Sequence, residues 1–100
     1  MANYRLYPKA EADLEDIWRY SDENWGDKQA DKYVDELEEV FYLLAENPLL
    51  CRERTELDPP VYIHNHAHHL IVYVITESGI DIVRLLHSSL DIPAHIAEEP

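Results

Sequence analysis

From Pro8 to Leu44 apolar side chains recur every three or four residues, and the recurrence is interrupted once, at Gly26-Asp27. No other feature constrains the fold as much: it predicts two amphipathic helices joined by a reversal too short to let them separate. The first stripe is Leu14, Ile17, Trp18, Ser21 and Trp25, and the second is Ala30, Tyr33, Val34, Leu37, Val40, Phe41 and Leu44. Pro8 suits the first turn of a helix, and acids cluster early in that segment, where the helix dipole favours them. Gly26 supplies a permissive C-terminal cap, Asp27 an N-cap for the second helix, and Asn47-Pro48 a stop. Trp18 and Trp25, seven residues apart on one helical face, read as packing residues.

Beyond Pro60 the period changes to that of strands. Val61 to Asn65, His69 to Thr76 and Ile80 to Leu86 are rich in Val, Ile and Tyr. Glu77-Ser78-Gly79 reads as a three-residue hairpin loop with glycine at the left-handed position. Residues Tyr4 to Tyr7 form a candidate edge strand, and Pro48 to Pro60, with three prolines and no period, a surface connection. The order β-α-α-β-β-β predicts an α+β fold, a helical hairpin packed on a small antiparallel sheet.

The 100 residues suffice for a single domain, 1–100, with a polar tail at 96–100 that is expected to fray. There is no apolar run near the roughly 18 residues of a membrane span, and no apolar leader at the start. A single cysteine, Cys51, forms no internal disulfide, so a cytoplasmic location is expected. Eight basic residues against 21 acidic ones give a net charge of -13, which disfavours direct nucleic-acid binding. Between Glu11 and Glu46 stand 13 acids against Arg19, Lys28 and Lys32, so a basic protein partner would be drawn to that third of the chain.

Three groups of residues invite a chemical reading. In His64-Asn65-His66-Ala67-His68-His69, an unbroken strand would put His64, His66 and His68 on one face, spaced to share Zn²⁺ or Ni²⁺. A turn at Asn65 to Ala67 would instead leave solvated histidines at a hairpin tip; with no cysteine or carboxylate at close spacing, no metal or other cofactor is expected. Arg84 and His87 offer a phosphate-binding cation and a general base for RNA cleavage, but a regular strand puts them on opposite faces, so they converge only through a bulge or the strand end. Otherwise they are an exposed arginine and a capping histidine. Ser88 and Ser89 lack a glycine-flanked elbow, and Cys51 reads as incidental at a loop edge. No catalytic residue is assigned.

An ordered set of strings resembles the ParE branch of the RelE/ParE toxins. These are Tyr4-Arg5-Leu6, Ala12-Asp13-Leu14, Asp16-Ile17-Trp18, Tyr20-Ser21, Trp25-Gly26, Gln29-Ala30, Tyr33 and Ala45-Glu46-Asn47-Pro48, followed by His69 to Tyr73 and Gly79 to His87. The resemblance spans roughly residues 4 to 95. It implies the toxin of a type II toxin-antitoxin pair, serving plasmid or chromosomal-region maintenance, that binds DNA gyrase without bond-making chemistry and is neutralised by a ParD-like ribbon-helix-helix antitoxin. The RelE branch, which cuts messenger RNA on the ribosome, is the alternative; it would need a dense basic site, and after residue 48 only Arg52, Arg54 and Arg84 are cationic. The chain departs from the ParE pattern at Asp58-Pro59-Pro60-Val61-Tyr62 and in its histidine-rich loop, so a further alternative is an attenuated toxin that only binds its antitoxin. The expected antitoxin-binding residues are Tyr33, Leu37, Val40 and Phe41. The expected gyrase-binding residues are Arg84, His87, Ser88, Leu90, Asp91 and His95.

Overall fold

A computed structural model describes residues 3–87. Strand β1 (Asn3–Leu6) leads into helix α1 (Pro8–Trp25), which reverses into α2 (Asp27–Glu46). A single 3-10 turn (Pro48–Leu50) and a two-residue strand β2 (Glu53–Arg54) precede β3 (Val61–His66), β4 (His69–Thr76) and β5 (Gly79–His87). The five strands form one sheet in the order β1-β5-β4-β3-β2. Both helices, their limits and the three long strands follow the expected order. Ser88, Leu90, Asp91, His95 and the 96–100 tail lie outside the described residues. Among those described, no helix is long and apolar enough to cross a membrane.

Gly26 makes the reversal alone. At φ 92° it sits where a side chain is strained; its N–H donates to the Asp22 carbonyl at 2.9 Å, and its carbonyl accepts from Ala30 N–H at 3.0 Å. One residue thus closes α1 and opens α2, and Asp27 is the first residue of α2 rather than its cap.

Pro48 to Pro60, read from sequence as a surface connection, contributes a fifth strand, β2, paired antiparallel with β3, and the sheet departs from the expected one in two further ways. It is mixed, because β1 pairs parallel to β5 (Asn3 with Gly79 through Leu6 with Ile82) while the other pairs are antiparallel. The second hairpin turns on two residues, Glu77 and Ser78, since Thr76 already pairs with Gly79. Gly79 is therefore not a loop residue. Asn3 N–H bonds the Ser78 carbonyl at 2.9 Å, and a Cβ on Gly79 would sit 1.8 Å from the Asn3 oxygen, so glycine is required by the close approach of β1.

Apolar residues fill both faces of the sheet. On the helix side Ala10, Ile17, Leu37, Phe41 and Leu44 meet Ile71, Tyr73, Ile80, Ile82 and Leu85. On the other side Val72, Val83 and Leu86 pack with Val61 and Leu57. That two-faced burial explains why β4 and β5 are almost continuously apolar rather than alternating. The register shifts between Val72, opposite Arg84, and Tyr73, opposite Ile82, so Val83 is bulged out of the ladder. The bulge inverts the alternation: Leu85, not Leu86, joins Ile80 and Ile82 on the helix side.

Candidate functional site

The bulge determines what happens to Arg84. β1 covers β5 only as far as Ile82, whose carbonyl takes the Tyr7 N–H at 2.9 Å. Beyond it, Asp13 of α1 occupies the place of a neighbouring strand. Its Oδ2 accepts the Leu85 N–H at 3.0 Å and Arg84 Nε at 2.8 Å, and its Oδ1 accepts Arg84 Nη2 at 3.1 Å. Both side chains are only 16% exposed. Arg84 is neither the exposed arginine nor the open phosphate-binding cation that a regular strand suggests: its guanidinium is held bidentately, fastening α1 to the sheet.

Next to this clamp lies a groove of about 990 Å³ between the helical hairpin and the end of the sheet. One wall is α1 and its end, with Asp16, Tyr20 and Trp25. Ile17, Ser21 and Leu85 lie deepest, and Tyr33 enters from α2. The opposite wall is built of His68 and His69 at the β3–β4 turn and His87 at the end of β5. Trp25 is 65% exposed and Tyr20 62%, which corrects the reading of Trp25 as a packing residue. The other tryptophan, Trp18, ties the helices together by donating Nε1–H to Asp31 at 2.8 Å.

The turn leaves His68 exposed at the hairpin tip as expected, but His64, His66 and His69 are half-buried rather than solvated. β3 runs on to His66, opposite His69, and the chain reverses at Ala67, φ 53°, and His68. His69 Nδ1 lies 2.7 Å from Tyr33 Oη. With the ring proton on Nε2 the phenol hydrogen donates to Nδ1, and with it on Nδ1 the phenol oxygen accepts; that oxygen also accepts from the His68 backbone amide. Burial, reinforced by His87, His68 and His66, pushes the His69 pKa down to about 4. Burial likewise raises that of Tyr33. His68 stacks on His87 at 6.5 Å, and His69 meets His87 edge-on at 5.7 Å. The turn breaks strand alternation, so His64, His66 and His68 do not share a face; among the described residues no three donors are grouped to hold a metal ion.

A second pair escaped the sequence reading. Cys51, just after the 3-10 turn, lies with its Sγ 3.5 Å from His64 Nδ1, and burial lowers the His64 pKa. Nearby, Tyr73 donates its hydroxyl to the Pro48 carbonyl at 2.9 Å, and burial, with Cys51 next in effect, raises its pKa. The signal available was weak, a cysteine and a histidine 13 residues apart with a connection between them.

Of the expected antitoxin-binding residues, Tyr33 and Val40 are half-buried and reach the helix-side core from its edge. Leu37 and Phe41 are wholly buried beneath α2, where they pack against the sheet. They form core rather than an open apolar groove, because the stripe of α2 faces the sheet and not solvent. Of the expected gyrase-binding residues, Arg84 is bound to Asp13 and His87 is exposed at the end of β5. The rest lie outside the described residues.

Residues 4–92 match the sequence profile of the ParE toxin of type II toxin-antitoxin systems, parDE. The chain is 34% identical over 96 residues to Toxin ParE1 of Caulobacter vibrioides, covering 96% of this chain and 99% of that one. It is 34% identical over 96 residues to Toxin ParE1 of Mycobacterium tuberculosis, covering 95% of this chain and 98% of the other. In fold it is similar to a chain of the chromosomal ParDE toxin-antitoxin system of P. aeruginosa, with a TM-score of 0.71 at 21% identity, over 87% of this chain and 96% of that one. Sequence profile, relatives and fold agree: the chain belongs to the ParE toxin family of type II toxin-antitoxin systems.

Proposed function

We propose that this ParE-family toxin inhibits DNA gyrase by protein–protein binding, without making or breaking a covalent bond, and is neutralised by a ParD-like ribbon-helix-helix antitoxin. The observation that carries the reading, beside family membership, is the engagement of Arg84, which Asp13 clamps with both side chains only 16% exposed. The pairs of Arg5 with Asp81, Arg54 with Glu56 and Arg19 with Asp16 are more exposed and hold their cations only weakly. A ribosome-dependent nuclease needs cations presented to phosphates and an acid-base group beside them; here the arginine closest to that role is spent on fastening a helix. A binding toxin needs only a shaped surface.

In this reading the antitoxin contacts the acid-rich hairpin, with Tyr33 and Val40 at its edge. The target is met at the end of the sheet, at His87 and the stretch of sequence that includes Ser88, Leu90, Asp91 and His95. The test is a gyrase assay with purified chain: supercoiling is inhibited and cleaved DNA accumulates, while messenger RNA on programmed ribosomes stays intact. Co-expression with the antitoxin restores growth. Cleavage of the messenger with gyrase unaffected would overturn the reading, and antitoxin binding without any effect on growth or gyrase would identify an attenuated toxin.

A further inference from the structure

We propose that the Tyr20–Trp25 corner of the groove is a subsite for a lysine or arginine carried on an apolar segment of the antitoxin, a partner whose role rests on the function proposed above. The two rings stand 6.1 Å apart at 69° and are both mostly exposed. Two large aromatics left side by side in water mark a contact surface, and the perpendicular pair offers a concave corner with π-electron density on its walls.

The surroundings select a cation. Asp16 lines the same groove one helical turn before Tyr20. Its partner in the free chain is Arg19, three residues on, in an exposed pair at 2.9 Å with side chains 72% and 62% accessible. Such pairs contribute little, so Asp16 exchanges Arg19 for an incoming cation at small cost. Facing it across the groove, His69 is uncharged and bonded to Tyr33, so that wall contributes no opposing charge through His69. The helical hairpin carries 13 acids against three bases, which draws a positively charged segment toward this end.

The same groove calls for an apolar neighbour. Ile17 and Leu85 form its deepest part beside the corner, where an aliphatic side chain is desolvated. An amphipathic helix with an aliphatic residue and a lysine or arginine three or four positions apart satisfies both subsites at once.

The probe is a capped 14-residue amphipathic peptide with leucines at i, i+3 and i+7 and one arginine at i+4, beside a twin with neutral citrulline in its place. Isotope-edited NMR titration of the whole chain, followed at the Trp25 indole, is expected to show the arginine peptide binding about fivefold tighter. Trp25→Ala and Asp16→Asn are expected to erase that preference, and Asp16→Lys to reverse it; these positions are exposed, and unchanged melting confirms folding. Equal binding of the twins, no saturable binding, or a preference that survives both substitutions would overturn the cation subsite. Purified antitoxin is then added. Displacement of the arginine peptide supports assignment of the subsite to the antitoxin, whereas antitoxin and peptide bound together overturn it. An antitoxin that does not bind the wild-type chain at all refutes the function reading, and this assignment with it.

Discussion

Replacing Asp13 by Asn should loosen α1 from the sheet. The carboxylate accepts three hydrogen bonds, two from the Arg84 guanidinium at 2.8 and 3.1 Å and one from Leu85 N–H at 3.0 Å. Asn preserves the shape, but it offers one oxygen and turns an amide donor toward groups that also donate. An exposed ion pair contributes about 0–1 kcal/mol, and breaking a fully buried one costs about 3–5 kcal/mol. With both side chains 16% exposed, the Asp13–Arg84 pair lies toward the buried limit, so Asp13→Asn should cost about 2–3 kcal/mol. At about 4–8 °C per kcal/mol for a domain of this size, the melting temperature should fall by roughly 10–20 °C. Arg84 makes other interactions too, so a single substitution there overstates the pair, and a double-mutant cycle with Arg84→Gln isolates it. Urea unfolding of the four proteins should give a coupling of about 1–2 kcal/mol. A cost for Asp13→Asn below about 0.5 kcal/mol, within the range of ordinary surface substitutions, would refute the claim that this carboxylate fastens the helix.

Gly79→Ala should displace β1, because the added Cβ would lie 1.8 Å from the Asn3 oxygen at φ 154°; a loss of about 2–4 kcal/mol in urea unfolding, with faster amide exchange in Asn3–Leu6, is the expected result, and an unchanged midpoint would contradict it. Stability should also fall as pH drops from 6.5 to about 4, because His69 titrates near 6.5 when unfolded and at about 4 when folded, so the unfolded chain takes up the proton first. Full conversion of that shift gives about 3.4 kcal/mol, and partial solvent screening reduces it to roughly 1–2 kcal/mol. His69→Gln should flatten the slope in that window relative to wild type, and parallel profiles would show that His69 is not its source. Substituting Glu36, Glu38 and Glu39 together by Gln should slow antitoxin association at low salt by about threefold to tenfold; an unchanged rate in stopped flow removes electrostatic steering.

The helices were legible because their signals are local: Pro8, Gly26 and Asn47-Pro48 bound two stripes of period 3.6, and each signal acts within a turn of its own position. The three long strands were legible for the same reason. What escaped depends on pairs far apart in the chain. Arg5 meets Asp81, 76 positions away, and nothing in Tyr4-Arg5-Leu6 says which strand it will join or in which direction. A loop glycine and a glycine beneath a crossing strand are identical as letters, so sequence alone makes Gly79 a turn residue. Val83 is as apolar as its neighbours, and only the ladder shows that it is the extra residue which changes the face of every residue after it. The site suffered most, since the Asp13–Arg84 clamp requires both that bulge and the docking of α1. Trp25 misled for another reason: helical spacing reports the side of a helix, not where the sheet beneath it ends.

The pairing of β1 with β5 also bears on how the chain comes to be a toxin. Among the described residues, the first strand along the chain finds its hydrogen-bond partner in the last, and Tyr4 and Leu6 pack on a core that includes Ile80 and Ile82. A nascent chain grown past Glu46 but not yet to Gly79 carries the helical hairpin but lacks the strand that receives β1. Contacts of such long sequence separation slow folding and close late. The acidic hairpin, with the surface proposed to meet the antitoxin, is thus made ahead of the end of the sheet that is proposed to meet the target, an order of birth in which the antidote's handle precedes the poison.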